Sequence, residues 1–160
     1  MRAAFVLCLG LCAQSGLVQA QALSPRALAC VNGAAQYHTV NPQVLAAILV
    51  HESFGKPGTV ARNSNGSVDV GLAGTNSVHF PELARTGVMP ADLLDECVSA
   101  YVGAWNLSKK IFKYGNTWQA IGAYHSETPQ HNARYQVLIY NKMVDMGYIA
   151  DQKLTQLRPR

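Results

Sequence analysis

The chain has 160 residues, 49% of them hydrophobic and 14% charged, with 13 Gly and 7 Pro. That composition suits one globular domain and excludes a disordered tail, a repeat array and a multi-domain machine. The 13 Lys and Arg exceed the 9 Asp and Glu and give a net charge of +4, but no block of like charge occurs, so a nucleic-acid groove is not indicated and a mild attraction to anionic surfaces is all the charge supports.

Arg2 is followed by an apolar stretch from Ala3 to Ala13 and then by small residues ending Val18-Gln19-Ala20 or Ala20-Gln21-Ala22. This three-part layout reads as a secretory signal over residues 1–20, cut after residue 20 or 22, and it is too short to span a membrane. The mature chain is therefore expected in the periplasm, with no membrane span once the signal is removed. Of the 4 cysteines, only Cys30 and Cys97 remain after cleavage. In an exported chain they read as one disulfide, the alternative being two buried thiols. Closing so long a loop stabilises a fold by roughly 4 kcal/mol on the chain-entropy model.

Helix signals dominate the rest. Ser24-Pro25 places a cap and a first-turn proline before a helix over Arg26 to Tyr37, and Asn41-Pro42 does the same before Gln43 to Ser53. Between Phe54 and Asn76 the helical period disappears among closely spaced Gly and Asn residues, which predicts a long irregular loop with a short extended piece at Val68 to Leu72. Loops of that length inside compact domains tend to carry function.

Helical character returns over Ser77 to Arg85 and stops at Gly87. A long amphipathic stretch from Asp95 to Tyr114 carries Cys97, Tyr101, Ala104, Trp105, Ile111 and Phe112 on one side, with Gly115 at the C-terminal cap position. Thr117 starts a short helix through Tyr124, the segment His125 to Pro129 breaks it, and a last helix runs from His131 to Met146. Residues 23–150 form the domain, and residues 151–160 are a polar tail expected to fray. The fold class is all-α, with a small hairpin in the glycine-rich loop as the most β structure expected.

On the helix that ends at Ser53, Leu45, Ile48 and Leu49 mark the buried stripe. Glu52 falls three and four residues after Leu49 and Ile48, on that stripe. A carboxyl pointing inward has its charged form disfavoured and stays protonated near neutrality, ready to donate to a leaving group. The competing reading is a helix-end glutamate that turns to solvent or pairs with Arg62. The following loop, Asn63-Ser64-Asn65-Gly66-Ser67-Val68-Asp69, is dense in short amide and hydroxyl groups suited to sugar hydroxyl and N-acetyl groups. Tyr101, Trp105, Trp118 and Tyr124 could floor pyranose rings, although tryptophans at helical spacing more often belong to the core. No Cys/His cluster has metal-ligand spacing, and His51-Glu52 lacks a second His one turn later, which argues against a zinc peptidase.

These motifs, in order, resemble the soluble lytic transglycosylase family: Glu52-Ser53 at a helix end, the Asn/Gly loop, Asp69-Val70-Gly71-Leu72, Thr75-Asn76-Ser77-Val78-His79, Leu93-Leu94-Asp95-Glu96-Cys97 and Ala123-Tyr124-His125-Ser126. The resemblance runs from about Cys30 to Tyr140 and is nearest to the small members that accompany conjugation, type IV and type III secretion systems and pili. It implies a lysozyme-like helical fold acting on peptidoglycan glycan strands, with cleavage of the MurNAc-β-1,4-GlcNAc bond and formation of a 1,6-anhydro ring. Glu52 maps onto the catalytic acid, while Ser53, Asn76, Tyr124, His125 and Tyr135 map onto the substrate cleft, with Tyr124 near the acid, where its hydroxyl would fix the acid's orientation by a hydrogen bond. Acid catalysis assisted by the substrate's own acetamido group requires no metal and no organic cofactor. The chain departs from the family where Gly-Leu-Met-Gln-Ile-Asn is usual, reading Gly71-Leu72-Ala73-Gly74-Thr75-Asn76. Two other readings stay open: a hydrolytic lysozyme using Glu52 and Asp69, and a non-catalytic peptidoglycan-binding scaffold.

Overall fold

The structure, a computed structural model, describes residues 23–156; the signal segment expected over residues 1–20 lies outside the described residues. Local chemistry sets the helix starts. Helix α1, Pro25–His38, begins at Ser24, whose hydroxyl accepts from the Ala27 N–H at 2.9 Å. Helix α2, Pro42–Ser53, begins at Asn41, whose side chain accepts from the N–H groups of Gln43 and Val44. Each has proline in its first turn, where a missing N–H costs nothing.

Residues Val44 through Val50 are all buried, so α2 is apolar around its circumference and runs through the middle of the molecule. The segment after it is more ordered than a loop. Strands β1 (Val60–Arg62), β2 (Val68–Val70) and β3 (Thr75–Asn76) form an antiparallel sheet in the order β1-β2-β3, one strand more than a hairpin. Ala61 pairs with Asp69, and Asp69 pairs in turn with Asn76.

A 3₁₀ turn at Ser77–His79 leads into α3, Phe80–Ala84, so the predicted helix over Ser77 to Arg85 is split between two helical geometries. The longest helix among the described residues, α4, spans Glu96–Tyr114 and is capped by Asp95, which accepts from the N–H groups of Cys97 and Val98 at 2.8 and 3.0 Å. Its apolar face departs in part from the sequence expectation: Ala104 is buried as expected, but Phe112 is 95% exposed and Tyr101 39% exposed, while Val102 and Leu107 are buried in their place. The stripe shifts because α4 packs on both α1 and α5, and the two contacts share its face.

Helix α5, Trp118–His125, and helix α6, Pro129–Asp145, follow each other across a short turn and pack together. Asn132 joins them by donating to the carbonyls of Gln119 and Ser126, both at 3.1 Å. The polar tail begins pinned rather than frayed, since Leu154 exchanges hydrogen bonds with the Asn141 carboxamide at 2.7 and 2.8 Å.

Cys30 of α1 and Cys97 of α4 are joined by a disulfide across a sequence separation of 67. Around it, Ser24 donates to Glu96 at 2.8 Å and Arg26 pairs with both Asp95 and Glu96. The start of α1 is thereby tied to the start of α4, while α2 is backed by α6 and β3 packs on α4.

Candidate active site

Glu52 sits one residue before the end of α2, on the face that meets α6. The Tyr135 hydroxyl of α6 donates to Glu52 Oε1. Burial pushes the Glu52 carboxyl up to about 7 from an ordinary 4.5; the Tyr135 hydrogen bond opposes that rise and the charge of Asp69 adds to it. The acid is thus half protonated near neutrality, the condition a proton donor that must later act as a base requires. Arg62, the other partner that the sequence offered, lies on an exposed strand.

Tyr135 is itself enclosed, with 2% of its surface exposed. The His125 ring stacks on it at 5.0 Å between centroids and 5° between planes, and His51 meets it edge-on at 5.3 Å. Burial holds both imidazoles below their ordinary values, so the tyrosine is flanked by neutral rings at neutral pH. This packing leaves its hydroxyl little freedom to point elsewhere than at Glu52.

Glu52 opens onto a cleft of about 820 Å³, ample for an extended ligand. One wall comes from the loop between β1 and β2 and from β3. There Asp69 accepts an amide hydrogen bond on each oxygen, from Asn63 at 2.8 Å and from Asn76 at 2.6 Å. The Ser67 hydroxyl accepts from the amides of both Asn63 and Asn76, so the wall is cross-braced before any ligand arrives. The opposite wall is α4, which presents Val102, Trp105 and Asn106 at helical spacing, and the end of α5, which presents Tyr124 and His125.

Several site residues play parts other than those the sequence suggested. Ser53, expected at the substrate, is 1% exposed and donates back to the Leu49 carbonyl at 2.8 Å, so it cannot reach the cleft. Tyr135, also expected at the substrate, lies behind Glu52, and the orientation of the acid that Tyr124 was expected to supply comes from Tyr135. Tyr124 lines the cleft, but its hydroxyl donates to the Ala73 carbonyl at 3.0 Å. Asn76 lines the cleft with its amide held by Ser67 and Asp69 and its oxygen accepting from the Val78 N–H. His125 is placed in the cleft wall.

Of the tryptophans, Trp118 packs on the main core and on Tyr140, whereas Trp105 packs on a smaller cluster while also facing the cleft, with Lys109 over its ring at 4.0 Å. Sequence reading missed Asn106. Its Oδ1 is buried with no hydrogen-bond partner, and no local pattern distinguishes one asparagine on a long helix from another.

Fold and site together define a class: a helical domain with a small sheet, in which a buried carboxylic acid at a helix end faces a polar cleft. The family model for the transglycosylase SLT domain matches residues 29–136. The chain belongs to that family, whose members are lytic transglycosylases. Among curated proteins it is 39% identical to the invasion protein IagB of Salmonella typhi over 136 residues, 80% of this chain and 84% of that one. The match to IagB of Salmonella typhimurium strain SL1344 is 39% identical over 100 residues, 62% of each chain, so less than two thirds of that relative is covered. A peptidoglycan-binding-like protein of Escherichia coli O157:H7 is 31% identical over 140 residues, 82% of this chain and 81% of that one. Among the described residues no helix is long and apolar enough to cross a membrane.

Proposed function

We propose that the chain is a peptidoglycan lytic transglycosylase in which Glu52 serves in turn as acid and base. The observation that carries the reading is the Glu52 carboxyl, raised to about 7 and held by Tyr135 at the head of a polar cleft. Protonated Glu52 gives its proton to the glycosidic oxygen as the C1–O bond of MurNAc breaks. The acetamido carbonyl oxygen of the same sugar closes onto C1 and takes up the positive charge. Glu52, now a carboxylate, removes the proton from the C6 hydroxyl, whose oxygen attacks C1 and displaces the acetamido oxygen, forming the 1,6-anhydro ring. Atoms and charge balance without water. Tyr135 supports both halves by keeping one carboxylate oxygen occupied and the other in line with the sugar.

A hydrolytic reading rests on Asp69, whose charge is felt by Glu52. Both Asp69 oxygens already accept amide hydrogen bonds, which favours a fixed charge in the cleft over a base that delivers water. The relatives' names, an invasion protein and a peptidoglycan-binding-like protein, support periplasmic action that opens the wall locally for a secretion, conjugation or pilus apparatus.

Digestion of purified sacculi with the oxidised mature protein and with Glu52→Gln, read by mass spectrometry of the released muropeptides, tests the reaction. Products one water lighter than reducing muropeptides, absent with the variant, are expected. Reducing ends would move the chain to the lysozyme reading. Sacculus binding by both proteins with no release from either would make it a scaffold.

A further inference from the structure

The turn from Gly71 to Gly74 brings backbone up against the acid. Gly74 has φ +56°, and a Cβ there would lie 3.0 Å from Glu52 Oε2 and 3.1 Å from Glu52 Cβ. The turn cannot retreat to make room. Its Ala73 N–H donates to Ser99 Oγ at 2.9 Å, and its Ala73 carbonyl accepts from Tyr124. At Gly71, φ +77°, a Cβ would sit 1.9 Å from the Leu93 carbonyl oxygen, so the other end of the turn is pressed against the approach to α4. The Ala73 methyl meets α4 where that helix has Gly103, at 3.0 Å from the position a Cβ would take. The turn is wedged between α2, α4 and α5, with the Ser99 and Tyr124 hydroxyls bonded to its backbone and the Glu52 side chain against Gly74.

Glu52 is thus gripped on two sides, with Oε1 taken by the Tyr135 hydroxyl and Oε2 lying over the bare backbone of Gly74. We infer that Gly74 is a positioning residue for Glu52: its missing side chain lets the carboxyl rest on the turn with its second oxygen at the cleft. A side chain at 74 crowds the carboxyl, which must give by a few tenths of an ångström while the backbone holds φ +56°. Ala73-Gly74 is then a matched part of this site, in which the carboxyl takes the space beside bare backbone. The inference rests on the reading of Glu52 as the proton donor, but the seating itself can be measured without turnover.

The experiment follows the Glu52 carboxyl by ¹³C NMR titration in the oxidised mature protein, in Gly74→Ala and in Gly74→Gln, alongside sacculus digestion. The groups facing this carboxyl are Tyr135 from α6, Asp69 from β2 and Tyr124 from α5, and all are retained in the variants. Gly87→Ala is the control, because Gly87 has φ +83° with no atom within 4 Å of an added Cβ, and so reproduces the backbone strain without the collision.

In both Gly74 variants Glu52 is expected to titrate closer to the ordinary carboxyl range as it swings toward water. Turnover at saturating sacculus is expected to fall about tenfold for Ala and about 100-fold for Gln, the scale of loss that sub-ångström to ångström misplacement produces. Gly87→Ala is expected to lower stability and leave both readouts unchanged. A wild-type titration curve in the Gly74 variants, or the same shift in Gly87→Ala, overturns the seating however vigorous the digestion. A shifted titration in a protein that digests nothing upholds the seating and defeats the proposed function.

Discussion

A glutamate that keeps its proton well above the ordinary carboxyl range carries a cost that appears in stability as well as in chemistry. The folded value of about 7 lies above the ordinary 4.5, so between those values the unfolded chain has released this proton while the folded chain still binds it. The stability contributed by the neutral acid is fully present below about pH 4.5 and is lost as pH rises through about 7, a difference of up to about 3 kcal/mol. Glu52→Gln keeps the shape and has no proton to lose. Urea unfolding is therefore expected to show the variant gaining on the wild type from pH 4 to pH 8 by that amount, and parallel stability curves would contradict it. The inward aim of Glu52 was legible because Ile48 and Leu49 precede it at helical spacing. Its tie to Tyr135 was not, since the two are 83 residues apart and nothing local says which of two tyrosines, stacked 6.5 Å apart, will turn to the acid.

Among the elements, the helices were the readable part of the sequence, and their caps explain why. Ser24, Asn41, Asp95 and Thr117 each accept a backbone N–H at the start of the helix they precede, so the start signals are local and survive into the fold. Strands of two or three residues carry no such signal. β1 and β3 exist because β2 lies between them, and Asp69 with its cross-strand partner Asn76 stabilises that pairing from the side. The α5–α6 packing was also hidden, because it depends on close approach. A Cβ at Gly122 would lie 2.3 Å from Asn132 Oδ1 and 2.6 Å from the Asn132 carbonyl oxygen. Gly122→Ala is expected to destabilise by about 3 kcal/mol through overpacking, to break the Asn132 bonds that hold the end of α5, and to loosen Tyr124 and His125. Thermal unfolding and amide exchange at Ser126, whose N–H donates to Gly122, would show whether it does.

At the scale of the molecule the helical class was legible in the sequence, and the way the cleft is assembled was not. The acid comes from the central helix, its tyrosine from the last helix, the braced amides from the sheet, and the facing wall from α4. No single stretch of sequence contains the site, so only the packing of α2 against α6 and of the sheet against α4 could reveal it.

The bond between Cys30 and Cys97 also divides the molecule in a way that the packing alone does not show. It closes a covalent ring that contains Glu52 and Asp69 and leaves Tyr124 and Tyr135 in the arm that follows. Arg62 on the exposed edge strand and Arg85 after α3 both lie within the ring and are both exposed, and both are open to trypsin. A cut at either is expected to leave one full-length band without reductant and two fragments with it; fragments that separate without reductant would show that the ring is not closed. A chain cut once within the ring still ends as one connected molecule, with acid and tyrosine joined through sulfur even where the peptide between them is gone.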